Sequence, residues 1–341
     1  MTNRPKITLM SCGGTIASVD QPGVGAKPTL DVADIARKIP GVAEIADVAS
    51  VPLAVVPSPH MNFRDLHNLA RTADAAIADG STGVVVTQGT DTIEEIAYGL
   101  DLMCAHEAPI VVTGAMRNAS MPGADGPANL LAAIKTAISR EARALGTLVV
   151  MNDEIHAARF VRKSHTANTA TFRSPHTGPI GWIAEHDVRI LVKPVGRFHV
   201  AVPDDAEAPA VCLYKVGLGD DGRLMDALPT AGYAGVVFEG LGGGHLTREI
   251  AEPGRLEALI SAMPVVLVSR AGNGEVLRDT YGGFAGSETD LIERGVIFGG
   301  ALDGPKSRVL LTLLLMRGAS RTEIQDIFNT IGPRCGPPAS D

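Results

Sequence analysis

Apolar residues in the first half of the chain follow two alternating rhythms. Short continuous runs rich in valine, isoleucine and leucine lie at residues 6–11, 53–56, 83–87, 110–113 and 147–151. Between them, segments at 32–38, 63–78, 92–103 and 128–141 place apolar side chains at helical spacing. A strand covered by helices on both faces reads as an unbroken apolar run, whereas a strand with one wet face alternates. The repeated exchange of such runs with amphipathic helices predicts an α/β fold around a mainly parallel sheet.

From 155 to 191 the rhythm changes to turn-rich segments, with Ser174-Pro175 and Gly178-Pro179, and one or two hairpins are expected there. Residues 193–209 then gather prolines and acidic side chains and read as an exposed linker. A second series follows, with strands expected at 211–216, 235–241 and 265–269 and helices at 255–262, 306–316 and 321–331. The final stretch, 334–341, contains Pro337-Pro338 and reads as a disordered tail. At 341 residues the chain exceeds one ordinary core. The expected organisation is a larger N-terminal domain at 1–193, a linker at 194–209, a smaller C-terminal α/β domain at 210–333 and a tail at 334–341.

Charge narrows the partners. A net charge of −8, with lysine and arginine scattered rather than clustered, disfavours nucleic acid. The first apolar stretch stops at the glycines after Cys12, too short for a signal-peptide core, and the run at 309–316 is far below spanning length. No membrane association is expected, and the cytoplasm is the expected compartment. Cys12, Cys104, Cys212 and Cys335 form no CxxC pair and read as reduced thiols, with Cys12 and Cys212 buried in strands.

Ligands of open α/β sheets bind at the carboxyl ends of strands, so the residues just after each strand matter most. The first is followed by Cys12-Gly13-Gly14-Thr15-Ile16-Ala17, the third by Gln88-Gly89-Thr90-Asp91-Thr92 and the fourth by Gly114-Ala115-Met116-Arg117. Each has an ordinary structural explanation. Glycine after a strand is turn chemistry, and Asp91 with Glu94 three residues later fits a helix capping box. Two threonine-bearing loops expected in one cleft are harder to explain that way. Nucleotide binding lacks both the GxGxxG spacing and the P-loop lysine, and neither a GxSxG elbow nor an HExxH helix is present.

A threonine hydroxyl is a weak nucleophile and needs a base within hydrogen-bond reach. Lys163, in Arg162-Lys163-Ser164, could supply one if its amine loses its proton, and a carboxylate such as Asp91 could orient it. Asp65 reads as helix-start polarity and His60 as a weak site candidate. His156, His165 and His176 are irregularly spaced in the turn-rich stretch and read as solvated histidines. No metal and no cofactor are expected.

Taken together, the loops at 13–17 and 88–92 resemble the two signature segments of the bacterial-type L-asparaginase family. The likeness continues in order through 114–117, 125–130, 150–153, 161–163 and 305–311, and so spans nearly the whole chain. It implies an asparaginase-like pair of α/β domains and a homotetramer built from intimate dimers, with sites at subunit interfaces and a small-molecule amide as substrate. Thr15 would be the nucleophile that becomes acylated, supported by Thr90, Lys163 and Asp91. Asp91 would also grip the substrate α-amino group, Ser58 its α-carboxylate, and backbone amides near Thr90 and Ala115 its oxyanion. Glu288 matches an acidic residue supplied by the neighbouring subunit. Three positions depart from the family pattern. The lid stretch at 18–30 has no tyrosine, Pro59 replaces a frequent glutamine, and His245 aligns with a frequent asparagine.

These readings leave three functions open: hydrolysis of L-asparagine through an acyl-threonine, the same chemistry on another amino-acid amide, and amino-acid binding without turnover.

Overall fold

The computed structural model describes residues 4–53 and 55–331. The tail expected at 334–341 and Cys335 lie outside the described residues. The chain divides into two compact units, Met1–His199 and Val200–Asp341.

The first unit opens with β1 (Lys6–Ser11), a hairpin of β2 (Ser18–Gln21) and β3 (Gly25–Pro28), and helices α1 (Val32–Lys38) and α2 (Val42–Ile45). It continues with β4 (Asp47–Pro52), α3 (Phe63–Ala78), β5 (Gly83–Thr87), α4 (Ile93–Met103), β6 (Ile110–Thr113), α5 (Gly126–Ile138) and β7 (Thr147–Met151). Five short strands follow: β8 (Glu154–Ala157), β9 (Arg162–Lys163), β10 (Phe172–Arg173), β11 (Gly181–Ala184) and β12 (Asp187–Ile190). Among the described residues, eight strands form one sheet in the order β12-β11-β8-β7-β6-β5-β1-β4. The run from β4 to β7 is parallel, and β8, β11 and β12 extend it antiparallel.

Strand alternation gives each face its own core. Ile7, Leu9, Val85 and Val111 pack with Val32, Ala36, Leu130 and Ile134 from α1 and α5. Met10, Val84, Val86 and Val112 pack with Leu66, Leu69, Ile96 and Leu100 from α3 and α4. The connection leaving β1 therefore runs to one face and the connection leaving β5 to the other. β1 lies between β4 and β5, so the strand order reverses there, and this reversal opens a crevice at the carboxyl ends of β1 and β5.

The second unit holds β13 (Val211–Lys215), α6 (Arg223–Asp226), β14 (Gly235–Gly240), α7 (Arg255–Ala262) and β15 (Val265–Ser269). After these come α8 (Glu288–Glu293), β16 (Ile297–Phe298), α9 (Gly304–Met316) and α10 (Arg321–Ile331). Its four strands pair in parallel in chain order. The α/β class and the larger, mainly parallel N-terminal sheet agree with the sequence reading.

Several local expectations change. Residues 53, 55 and 56, where a strand is expected, lie in no strand; the strand that pairs with β1 here is β4, immediately before them, in register from Lys6↔Asp47 to Ser11↔Pro52. It is an edge strand, so its composition mixes polar and apolar residues and its pattern is weaker than that of the central strands; residue 54 lies outside the described residues. The helix expected at 128–141 is α5, which stops at Ile138, and a separate turn at Arg140–Ala142 follows with Ser139 accepting from Glu141 N–H. Cys12 is buried but stands just after β1, while Cys212 lies in β13 and is only half-buried.

His156 is not solvated: it is fully buried on β8 and shares a 3.0 Å hydrogen bond through Nδ1 with Ser174 Oγ. His165 is exposed and uses Nδ1 to accept from the Ala167 and Asn168 N–H groups, and His176 is exposed. Part of the expected linker is also anchored. Arg197 donates to the Cys104 and His106 carbonyls and faces the Asp101 carboxylate at 3.4 Å. No helix among the described residues is long and apolar enough to cross a membrane.

Candidate active site

The loops after β1, β5 and β6 meet through glycines. Gly14 has φ +90°, and a Cβ there would stand 2.4 Å from Gly89 N and 2.5 Å from the Gln88 carbonyl carbon. A side chain would hold the Thr15 loop off the Thr90 loop; glycine permits backbone-on-backbone contact. In the same way a Cβ at Gly114 would lie 2.7 Å from the Gln88 carbonyl oxygen and 3.3 Å from Thr90 Cγ2. Thr15 begins a short 3₁₀ turn, Thr15–Ala17, and is half-buried. Its hydroxyl makes no hydrogen bond among the described residues.

Thr90 and Asp91 lie in a second 3₁₀ turn, Thr90–Thr92, that leads into α4. Lys163 reaches them from β9, where its Nζ donates to Thr90 Oγ1 at 2.9 Å and to Asp91 Oδ1 at 2.7 Å. Lys163 is largely covered, whereas Asp91 is 57% exposed and so accessible to a ligand. On its other oxygen Asp91 accepts from Ser58 Oγ at 3.4 Å. Ser58 is buried and rests on Gly89. Thr92 ties the two segments, with its hydroxyl donating to the Ser58 carbonyl at 3.2 Å and accepting from Gln88 Nε2 at 3.3 Å.

Asp91 and Glu94 do not form the capping box their spacing suggests. No side-chain cap bond closes the start of α4. Asp91 turns to Lys163 and Ser58 instead, and Glu94 Oε2 accepts the backbone N–H of Lys163 at 2.5 Å. Asp65 does take part in a capping box, with Asn62 at the start of α3.

Ala115 is buried, and its N–H makes no hydrogen bond among the described residues. The turn that presents it is fixed by residues of the 125–130 motif. Asp125 accepts from the Met116 and Arg117 N–H groups, and Asn129 Nδ2 donates to the Gly114 carbonyl at 3.0 Å. Asn129 also accepts from Asn152 N–H, which links the 150–153 motif to the same turn. Sequence reasoning does not find these supports, because they join residues distant in the chain.

The stretch at 18–30 forms the β2–β3 hairpin. It is tied to the 118–120 segment by Ala119 N–H to the Ser18 carbonyl and Asn118 Nδ2 to Asp20 Oδ1 at 2.8 Å. Pro59 and His60 are exposed beside Ser58.

Glu288 and His245 lie in the second unit and contact each other, His245 Nε2 to Glu288 Oε2 at 2.7 Å. Glu288 is fully buried, and its second oxygen accepts from Tyr281 N–H. Burial opposes its charge, but the backbone N–H groups of Glu288 and Tyr281, with His245, hold its carboxyl below the usual glutamate range. The His245 ring meets Tyr281 and Phe284 edge-on at 5.3 and 5.6 Å. Among the described residues no group of three or more His, Cys, Asp or Glu side chains is arranged to hold a metal ion.

Two family models match the chain: the asparaginase N-terminal model over residues 6–196 and the glutaminase/asparaginase C-terminal domain over residues 210–328. L-asparaginase 2 of Bacillus subtilis (strain 168) is 34% identical over 95% of this chain and 86% of its own length. L-asparaginase 2 of Escherichia coli (strain K12) is 33% identical over 95% and 93%. The crystal structure of a probable cytoplasmic L-asparaginase from Campylobacter jejuni superposes with a TM-score of 0.85 at 30% identity, covering 96% of this chain and 99% of that one.

Proposed function

The chain belongs to the asparaginase family, and on that premise we propose that it hydrolyses the side-chain amide of L-asparagine to L-aspartate and ammonia through an acyl-threonine. The observation that carries this reading is the Lys163 amine placed between Thr90 Oγ1 at 2.9 Å and Asp91 Oδ1 at 2.7 Å. A hydroxyl, an amine and a carboxylate joined this way are what threonine chemistry needs and what simple binding does not. In this reading Thr15 Oγ attacks the amide carbon, and Thr90 and Lys163 relay its proton to the departing ammonia. Water then repeats the attack on the ester, which frees Thr15 and releases aspartate. The Ala115 N–H, which makes no hydrogen bond among the described residues, serves the developing oxyanion. Ser58 and the exposed Asp91 carboxylate take the substrate's α-carboxylate and α-amino group.

The same reading has the chain assemble as a homotetramer of intimate dimers, with Glu288 and His245 of a neighbouring subunit completing the substrate grip. Light scattering after size exclusion tests that; a monomer active at assay concentration would remove it.

A second reading keeps the chemistry and changes the amide. It is favoured by Pro59, which offers no side-chain donor beside Ser58, and by the His245 contact that occupies Glu288. Ammonia release should be measured across L-asparagine, D-asparagine, L-glutamine and simple amides, with Thr15→Ala as control. Thr15-dependent turnover that is highest on L-asparagine supports the first reading, and a clear preference for another amide supports the second. Turnover unchanged in Thr15→Ala would overturn the mechanism, and silence on every amide would leave amino-acid binding without turnover.

A further inference from the structure

Lys163 sits on a weak element. β9 is two residues long and pairs with β10, also two residues, outside the eight-stranded sheet. A ribbon this short has little stability of its own. Yet a proton carrier must be held to a fraction of an ångström, since a misplacement of about 1 Å can cost on the order of 10²-fold in rate.

Glu94 supplies a restraint from outside the ribbon. Its carboxylate accepts the Lys163 backbone N–H. Glu94 lies in the first turn of α4, three residues after Asp91 and four after Thr90, the two residues that the Lys163 amine bonds. The lysine is therefore gripped at both ends by one stretch of chain. Its backbone is held by Glu94 and its amine by Thr90 and Asp91, so any movement of the α4 start carries the whole group together. A lysine side chain is rich in rotamers, and holding both its backbone and its amine removes much of that freedom before substrate arrives. A carboxylate is well suited to hold the strand here. Hydrogen bonds to a charged acceptor are the stronger kind, and the first turn of a helix favours negative charge.

We propose that Glu94 is a positioning residue that registers Lys163 against Thr90 and Asp91, an inference that rests on Lys163 being the proton carrier. Its role is geometric, through the lysine backbone.

The test uses Glu94→Ala and Glu94→Gln in the full-length protein, each alone and combined with Lys163→Met. Glu94→Ala should lower kcat on the best amide by about 10- to 100-fold with KM within about threefold, because Ser58 and Asp91 keep their places. Glu94→Gln, which keeps a carbonyl acceptor, should restore kcat to within about threefold of wild type. In the Lys163→Met background Glu94→Ala should cost nothing further, since two residues acting as one unit are not additive. Amide exchange resolved to the peptide carrying Lys163 should speed up in Glu94→Ala and stay slow in Glu94→Gln.

Wild-type kcat with unchanged exchange in Glu94→Ala would overturn the proposal, and so would a full additional loss in the Lys163→Met background, which signals general damage. Full turnover by Lys163→Met alone would instead bring down the reading of Lys163, while the exchange measurement would still report whether Glu94 holds the strand.

Discussion

Replacing His156 with glutamine should flatten the acid side of the protein's stability curve. His156 has no exposed surface, and Nδ1 shares its hydrogen bond with Ser174 Oγ. Glu154 Oε2 stands 3.3 Å from Nε2, near enough to count as an ion pair if the ring were charged, yet Nε2 has no hydrogen-bond partner among the described residues. Two effects therefore compete. The carboxylate favours imidazolium; burial and the nearby Arg173 favour the neutral ring. Burial wins, because a charge stripped of water loses several kcal/mol and a contact without a hydrogen bond does not return it. The folded-state pKa falls from 6.5 to about 4.

Protons then favour the unfolded chain. Between pH 6.5 and about 4 the unfolded imidazole takes up a proton while the folded one stays neutral, so stability is full above 6.5 and drains as the pH falls. At about 1.4 kcal/mol for each pH unit of that interval, the total is about 3 kcal/mol. For a unit the size of Met1–His199 this corresponds to about 6–12 °C in melting temperature.

The reporter is built in. Trp182, the chain's one tryptophan, lies on β11 opposite Glu154 of the same strand as His156. Its fluorescence reports unfolding of this part of the sheet. Wild type should lose about 3 kcal/mol more than His156→Gln across the interval, with every other titrating group cancelling in the difference. Equal slopes would refute this reasoning, and a wild-type midpoint that rises as the pH falls would mean that Glu154 pairs with a charged ring after all. Ser174, the partner of His156, directly follows β10, which pairs with the strand that carries Lys163.

Two further substitutions follow from close contacts. Gly89 has φ −68°, open to any residue, so Gly89→Ala is a purely steric change. Its methyl would stand 2.5 Å from Ser58 Oγ and 2.8 Å from Ser58 Cβ, and displacing Ser58 should raise KM about tenfold or more, at the scale of one lost charged hydrogen bond; an unchanged KM in steady-state kinetics would remove Ser58 from substrate binding. In the second unit, Lys306 is 1% exposed and pairs with Asp303 at 2.8 Å. Asp303 also caps α9 by accepting the Lys306 backbone N–H at 3.0 Å. Asp303→Ala leaves the amine buried without its partner and should destabilise by about 3–5 kcal/mol in denaturant unfolding, most of it recovered by adding Lys306→Met; failure to recover would show that this cap, and not the charge, carries the loss.

What can be read from the sequence follows from how local its cause is. β1, β5, β6 and β7 announce themselves because both faces are buried. β4 does not, because it is an edge strand with polar positions, and α8 and β16 are too short to show a period. The threonine loops are legible as glycine and threonine directly after apolar runs. The fate of Glu94 is not: its spacing from Asp91 is a capping-box signal, and the partner it takes is 69 residues away. His156 misleads for a similar reason. Its turn-rich surroundings suggest solvent, while its burial depends on β8 lying between β7 and β11.

The same distinction bears on what the departures from the family pattern mean. The contacts among Thr90, Asp91, Lys163 and Glu94, and the clamp of Asp125 and Asn129 on the Ala115 turn, are hydrogen-bonded within one unit. None of them uses Pro59, the β2–β3 hairpin or His245. In the proposed reading the chemistry is thus separable from the three departing positions, while Asp91 serves both the catalytic group and the substrate grip. Changes such as Pro59→Gln and His245→Asn should then redistribute kcat/KM among amides while leaving kcat on the best substrate within about threefold, because uniform binding changes KM and only transition-state contacts change kcat. A collapse of kcat on every amide in either variant would show that these positions are coupled to the chemistry, and the retained triad geometry would no longer be enough to argue for retained chemistry.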